Sequence, residues 1–172
     1  MSADRQAAAF ALRTCLETND RAAVWAFVSS WAGVNEELAP VSMHWPARIE
    51  NLASIPADGR CHAVASIRCF GIPFDRHAFA LVTSRTGEGF HEVSSSLWLR
   101  RWTHERRLTD QDGRIVVTDR CSLLGRVPGF DALTRGIYVG VFERRHARLR
   151  ARFGGTAEDT VRLNDEAGAR RT

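Results

Sequence analysis

The chain has 172 residues, 44% hydrophobic and 26% charged, which fits one globular domain and excludes collagen-like, disulfide-scaffold and low-complexity chains. Its 24 basic residues, all arginine, face 20 acidic ones for a net charge of +4. The two signs are interspersed, so no charge block marks a nucleic-acid tail, and no nucleic-acid partner is expected.

Residues 1–8 read as a loose start. The N-terminus lacks the apolar run of a signal peptide, and no stretch is apolar enough to span a bilayer. "FALRTCLETN" alternates, with Phe10, Leu12, Thr14 and Leu16 on one face, and predicts a strand. In "NDRAAVWAFVSS", Asn19 or Asp20 caps a helix with Ala23, Val24, Phe27 and Val28 at helical spacing. "WAGVNEELAP" adds a second short helix, stopped by Pro40. "VSMHWPARIE" suits a short edge strand that tolerates Pro46. "CHAVASIRCF" fits a strand by alternation, although Ala63, Ile67 and Phe70 also fit a helix.

"FDRHAFALVTS", "FHEVSSS", "LWLRRWTHERRL" and "IVVTDRCSLL" then read as four successive strands, the last two joined through Asp112-Gly113. From Phe130 to Phe153 the period changes. Phe130, Leu133, Ile137, Val141, Leu149 and Phe153 step by three and four and predict one long amphipathic helix. Arg144, Arg145, Arg148, Arg150 and Arg152 crowd its second half, where cations suit the helix dipole and a solvated face is expected. Gly154-Gly155 end it. The polar residues 156–172 read as a disordered tail, leaving 1–155 as a single domain. Cys15, Cys61, Cys69 and Cys121 form no CxxC pair and read as reduced, mostly buried residues of a cytoplasmic protein.

Strand, two short helices, a run of antiparallel strands and one long helix make an α+β chain. Its sheet of about six or seven strands must cover an apolar face, and the last helix is the only element large enough. This order, with "LWLRRWTHERRL…GRIVVTDRCSLL" and the closing "VFERRHARLRARF", resembles the START-like (SRPBCC) superfamily over about Phe10 to Phe153. That group includes polyketide cyclases and aromatases, lipid-transfer domains and plant ligand carriers. The resemblance implies a helix-grip fold, a curved sheet wrapped over the long helix with a cavity between them. It implies a small hydrophobic or aromatic ligand more often than a defined reaction, and it brings no catalytic set to carry over.

Site residues therefore come from the strands themselves. In "LWLRRWTHERRL" one face carries Trp102, His104, Arg106 and Leu108; in "IVVTDRCSLL" one face carries Ile115, Val117, Asp119, Cys121 and Leu123. A loop at Gln111-Asp112 pairs Leu108 with Ile115 and His104 with Asp119. A register shifted by one pair sets Asp119 opposite Arg106. Either way Asp119 meets His104 or Arg106 on the concave face. Buried charges there must be paired, hydrated or bound to a ligand.

His104 oriented by Asp119 suits general acid or base work, and Arg106 suits a carboxylate or phenolate oxygen. The competing reading is an ion pair that fixes strand register. His77, Phe79, Glu92 and Ser94 are expected on the same inner wall, with Trp102 as the stacking surface for a flat ligand. Gly136 and Gly140 make room for a ligand or for close helix–sheet packing, and Tyr138 points into the pocket or sits on its rim. His77, Glu92 and His104 have no metal-ligand spacing, so no metal is expected, and no GxSxG, GxGxxG or P-loop points to a nucleophile or cofactor.

The leading expectation is a carrier or binding protein for a small hydrophobic or aromatic molecule. The alternative is a cyclase/aromatase- or dehydratase-like enzyme using His104, Arg106 and Asp119. A third class is an interaction module in which the cavity is collapsed and the arginine-rich helix end is the working surface.

Overall fold

The computed structural model describes residues 7–163 of the chain. Strand β1 (Ala8–Leu16) leads into helices α1 (Arg21–Ser29) and α2 (Trp31–Leu38). Asp20 caps α1 by accepting the Ala23 amide at 2.9 Å, and Ser30 caps α2 by accepting the Gly33 amide at 3.0 Å. Strands β2 (Val41–His44), β3 (Cys61–Cys69), β4 (Ile72–Arg85), β5 (Gly89–Ser96), β6 (Leu99–Gln111) and β7 (Arg114–Gly125) follow, then helix α3 (Asp131–Phe153) and strand β8 (Thr160–Leu163). The eight strands form one curved, open antiparallel sheet in the order β2-β3-β4-β5-β6-β7-β1-β8, with α3 against its concave face.

"CHAVASIRCF" is strand β3, because its alternation lets Ala63 and Ala65 pack inward while β4 pairs along its length. The part of the expected tail that is described is not disordered. After Gly154 and Gly155 (φ 85° and 126°) the chain turns back, and Thr160–Leu163 pairs with Thr14–Ala11 on the otherwise open edge of β1. The fold thus extends to Leu163; residues 164–172 lie outside the described residues.

Asp112 and Gly113 form the two-residue β6–β7 turn with φ of 53° and 74°, the left-handed pair that suits strand twist. This turn selects the second register: Arg106 lies opposite Asp119, Leu108 opposite Val117 and His104 opposite Cys121. Gly89 opens β5 with φ 147°. A Cβ there would lie 2.0 Å from the Arg106 carbonyl oxygen, so only glycine lets β5 approach β6 at this point.

The helix stripe is displaced from the expected one. Leu133 and Ile137 are exposed, whereas Val139, Phe142, Arg145, His146 and Leu149 are buried. The first half of α3 stands over the cavity mouth; the second half lies on the sheet and buries everything on that face. The cysteines also differ from expectation. All four are free, but only Cys121 is buried and Cys61 is exposed.

Candidate functional site

Two apolar clusters lie under α3. One contains Leu12, Trp102, Cys121 and Phe142; the other contains Leu16, Leu108, Val117 and Leu149. A polar layer one side chain thick runs between them. It is read directly along each element: Leu12-Thr14-Leu16 on β1, Val117-Asp119-Cys121 on β7, Arg106 before Leu108 on β6, and Arg145-His146 between Phe142 and Leu149 on α3. Thr14, Arg106, Asp119 and His146 have no solvent exposure.

Asp119 is the centre of this layer. Its Oδ1 accepts from Arg106 Nε at 2.7 Å and pairs with His104 Nε2 at 2.9 Å. Its Oδ2 accepts from Arg106 Nη2 at 2.7 Å and pairs with His146 Nε2 at 2.9 Å. Burial alone would push this carboxyl up, but the Arg106 guanidinium and then His104 outweigh burial and hold it well below the usual carboxylate range. An ionised carboxylate only accepts, so both histidines donate to it through Nε2–H. His146 Nδ1 lies 2.6 Å from Thr14 Oγ1, which lies 2.5 Å from Thr160 Oγ1 on β8.

The opposite edge of Arg106 is taken by Glu37 of α2, whose two carboxylate oxygens each accept from Nη1 at 2.9 Å. Glu37 also accepts from Arg145 Nε at 2.9 Å, and its backbone carbonyl accepts from Arg148 at 2.8 Å. Two carboxylates therefore face two guanidinium groups with no exposed member, and they tie α2, β6, β7 and α3 together. Removing one partner of such a set costs more than the set itself contributes. Arg150 reaches Thr160, and Arg152 lies 4.4 Å over the Phe27 ring. Arg145, Arg148, Arg150 and Arg152 are thus engaged within the fold, whereas Arg144 is exposed, so the solvated face is narrower than expected.

Beside this layer, between sheet and α3, is a cavity of about 230 Å³. Its wall is mainly apolar and aromatic, with Trp31, Trp45, Phe79, Phe90, Trp102 and Phe142 prominent. Trp31 and Trp45 stack at 4.1 Å. Six polar residues reach the wall: Asp75, His77, Glu92, His104, Tyr138 and Arg145. Phe74 and Ile137, both exposed, line it too, so the cavity opens at that end.

Two of those groups are committed. Asp75 accepts the Arg76 and Leu97 amides. Glu92 lies 3.4 Å from His77; burial would raise its carboxyl, but His77, then His104 and Trp102, bring it below the usual value. Tyr138 is held as the phenol by burial and by the carboxylates of Asp75 and Glu92. His104 is different. Burial lowers its pKa despite Asp119, so the ring is neutral; with Nε2–H on Asp119, Nδ1 keeps a lone pair with no protein partner among the described residues. Arg145 likewise uses Nε on Glu37 and leaves its terminal nitrogens without a protein acceptor among the described residues. Both groups pack on the Phe142 ring, His104 at 5.1 Å and Arg145 at 4.8 Å.

The structure brings His77, Phe79, Glu92, Trp102, His104 and Tyr138 to one cavity, as the inward faces of their strands and helix required. Arg106 and Asp119 do not line it; both are sealed behind His104, so Arg106 is not placed to hold a ligand oxygen. Ser94 is buried outside the wall, its Oγ accepting the Ala80 amide at 3.3 Å. Gly136 and Gly140 do not line the cavity either, and a Cβ on each would meet nothing within 4 Å, so close packing against the sheet does not explain them. Sequence reasoning missed Glu37, Arg145 and His146. The available signal was spacing: Arg145 and His146 follow Phe142 by three and four residues and precede Leu149 by four and three. Cys121 is no nucleophile, since burial and then Asp119 keep it as the thiol.

Residues 17–153 match the family described as Domain of unknown function (DUF8410). The chain belongs to this family. No curated protein matches it. Among solved structures, DynU16, a protein of the dynemicin biosynthetic locus, is 14% identical with a TM-score of 0.56, over 85% of this chain and 48% of that one. This DUF8410 chain thus spans about half the length of DynU16. A START superfamily protein from Mycobacterium smegmatis is 8% identical with a TM-score of 0.59, over 86% and 96%. Ara h 8.0201 is 10% identical with a TM-score of 0.55, over 85% and 99%. At such identities the likeness is one of fold, and the fold is START-like. Among the described residues no helix is long and apolar enough to cross a membrane.

Proposed function

We propose that the protein is a binding protein for a compact, largely apolar molecule, aromatic and carrying at least one oxygen, held between the sheet and α3. One observation carries this reading: an aromatic-walled cavity holds polar atoms with no protein partner among the described residues, namely the His104 Nδ1 lone pair and the Arg145 terminal N–H groups, both against Phe142, together with the Tyr138 hydroxyl and the buried Trp45 Nε1–H. A carbonyl or phenol oxygen satisfies Arg145, and a hydroxyl hydrogen satisfies His104. The volume, about 230 Å³, lies below the ~300–1,000 Å³ of drug-sized clefts and suits a small ring system better than a long acyl chain. The free thiols accord with a cytoplasmic location.

The test is native mass spectrometry of gently purified protein, followed by titration of the stripped protein with 1-naphthol read by tryptophan quenching. Saturable one-to-one binding, abolished when Val141→Trp fills the cavity, is the expected result. A bare protein that shows no saturable binding, or binding indifferent to Val141→Trp, refutes the proposal.

A second reading is favoured by the same His104 geometry. A neutral imidazole fixed in one tautomer by a carboxylate is arranged to take a proton from an acidic O–H or C–H of the bound molecule. In that reading His104 is the base, while Asp119 and Arg106 are positioning residues behind it. His104→Ala would then abolish turnover rather than affinity alone.

A further inference from the structure

Of the eleven large apolar side chains exposed among the described residues, only Val64 and Val161 lie away from the cavity mouth. The other nine occupy three adjoining loops and the first turns of α3, with Phe70, Ile72, Trp98, Phe130, Leu133 and Ile137 each more than half exposed. These loops touch. Trp98 Nε1 donates to the Phe74 carbonyl at 3.2 Å, and the Arg126 amide donates to the Trp98 carbonyl at 2.9 Å. So concentrated an apolar patch is unusual on a surface facing only water.

The β3–β4 turn adds a second observation. Phe70 and Gly71 form its two-residue loop with φ of 49° and 81°, a left-handed pair normally filled by Asn, Asp or Gly. A bulky aromatic at positive φ is disfavoured, and here it is 82% exposed, so nothing within the chain repays its presence.

Charge selects the occupant. The same segments carry Arg68, Arg76, Arg100, Arg101, Arg126 and Arg135 against two acids. Of those acids, Asp75 is buried and Asp131 accepts the Gly125 amide at 2.8 Å. A second copy of the chain would set arginine against arginine. A negatively charged surface complements them. Apolar tips standing on separate loops match a fluid layer better than a shaped groove, and aromatic side chains beside arginines suit the level of lipid headgroups. Phe74 and Ile137 belong both to the patch and to the cavity wall, so a molecule could pass between the two without crossing water.

We infer that this end of the molecule docks on a membrane surface rich in anionic lipid, with Phe70, Ile72, Trp98 and Phe130 inserted and the arginines on the headgroups. The inference holds whatever the cavity binds. It is tested by co-sedimentation of the full chain with vesicles of equimolar phosphatidylglycerol and phosphatidylcholine, and of phosphatidylcholine alone, at about 0.15 M salt. Binding to the anionic vesicles only is expected. Trp98→Ser and Phe70→Ser should each weaken it about tenfold, the burial of one large apolar side chain, with unchanged denaturation midpoints. Arg100→Glu with Arg101→Glu should weaken it at least as much, at roughly fivefold per charge lost. Failure of the wild type to bind overturns the inference, as does binding indifferent to both serine variants. A dimer in sedimentation equilibrium that Trp98→Ser disperses would overturn it in favour of self-association. So would an acidic protein that protects the same tips and competes with the vesicles.

Discussion

The two halves of α3 solve opposite problems. The N-terminal half exposes Leu133 and Ile137, apolar residues that elsewhere would be core. The C-terminal half buries Arg145 and His146, residues that elsewhere would be solvated. What differs is the neighbour. The second half lies on β1 and near α2, where Glu37 takes Arg145 Nε, and Asp119 and Thr14 take the two ring nitrogens of His146. The first half spans the cavity mouth and has no protein layer over it. Helical periodicity shows which residues share a face, but only the neighbouring element decides whether that face is wet.

The largest effect is expected at the buried half. Asp119→Ala strips Arg106, His104 and His146 of a shared acceptor while Arg106 stays out of water. It should cost about 3–5 kcal/mol by urea denaturation. Adding Arg106→Met removes the stranded charge and should recover part of that loss, so the double variant will be less destabilised than the two singles added together. A cost for Asp119→Ala alone below about 1 kcal/mol would mean that water reaches this layer, and the contrast between the halves would collapse.

The contrast is sharpened by one residue type tested twice on one helix. Leu149 has no exposure and Leu133 is 62% exposed. Leu149→Ala should cost about 2–5 kcal/mol in the same assay. Leu133→Ala should fall within about 0.5 kcal/mol of wild type. A Leu133 cost that depends on protein concentration would show that another copy covers the first half in solution.

The sheet was legible because its signal is local. Alternation in "HAFALV", "HEVSSS" and "RIVVTDRC" placed the inward faces, and Asp112-Gly113 marked the hairpin. Two candidate loops one residue apart left the register open, and the left-handed backbone of Asp112 and Gly113 settles it. His104 and Asp119 were visible as polar residues on an apolar face. Their full setting was not, because Glu37 meets Arg106 across 69 residues and Arg145 across 108, separations that no periodicity reports. Arg145 was hidden a second way: an arginine among four others at a helix end looks solvated until its spacing from Phe142 and Leu149 is weighed. The short β8 was missed because Thr160–Leu163 is only four residues long and owes its order to the open edge of β1.

A small stabilising effect is the most diagnostic of where a ligand lies. Gly136 and Gly140 occupy helical positions at which a methyl group would meet nothing within 4 Å. Glycine inside a helix forfeits backbone entropy, so Gly136→Ala and Gly140→Ala should each stabilise the protein by about 0.5–1 kcal/mol. Neither position lines the cavity, so 1-naphthol affinity should be unchanged in both variants. Stabilisation with unchanged affinity keeps the bound molecule between Phe142 and the sheet, beside His104 and Arg145. Stabilisation with weakened affinity would instead place it along the helix face that carries both glycines, and would move the site away from the His104 lone pair on which the proposed hydrogen bonding depends.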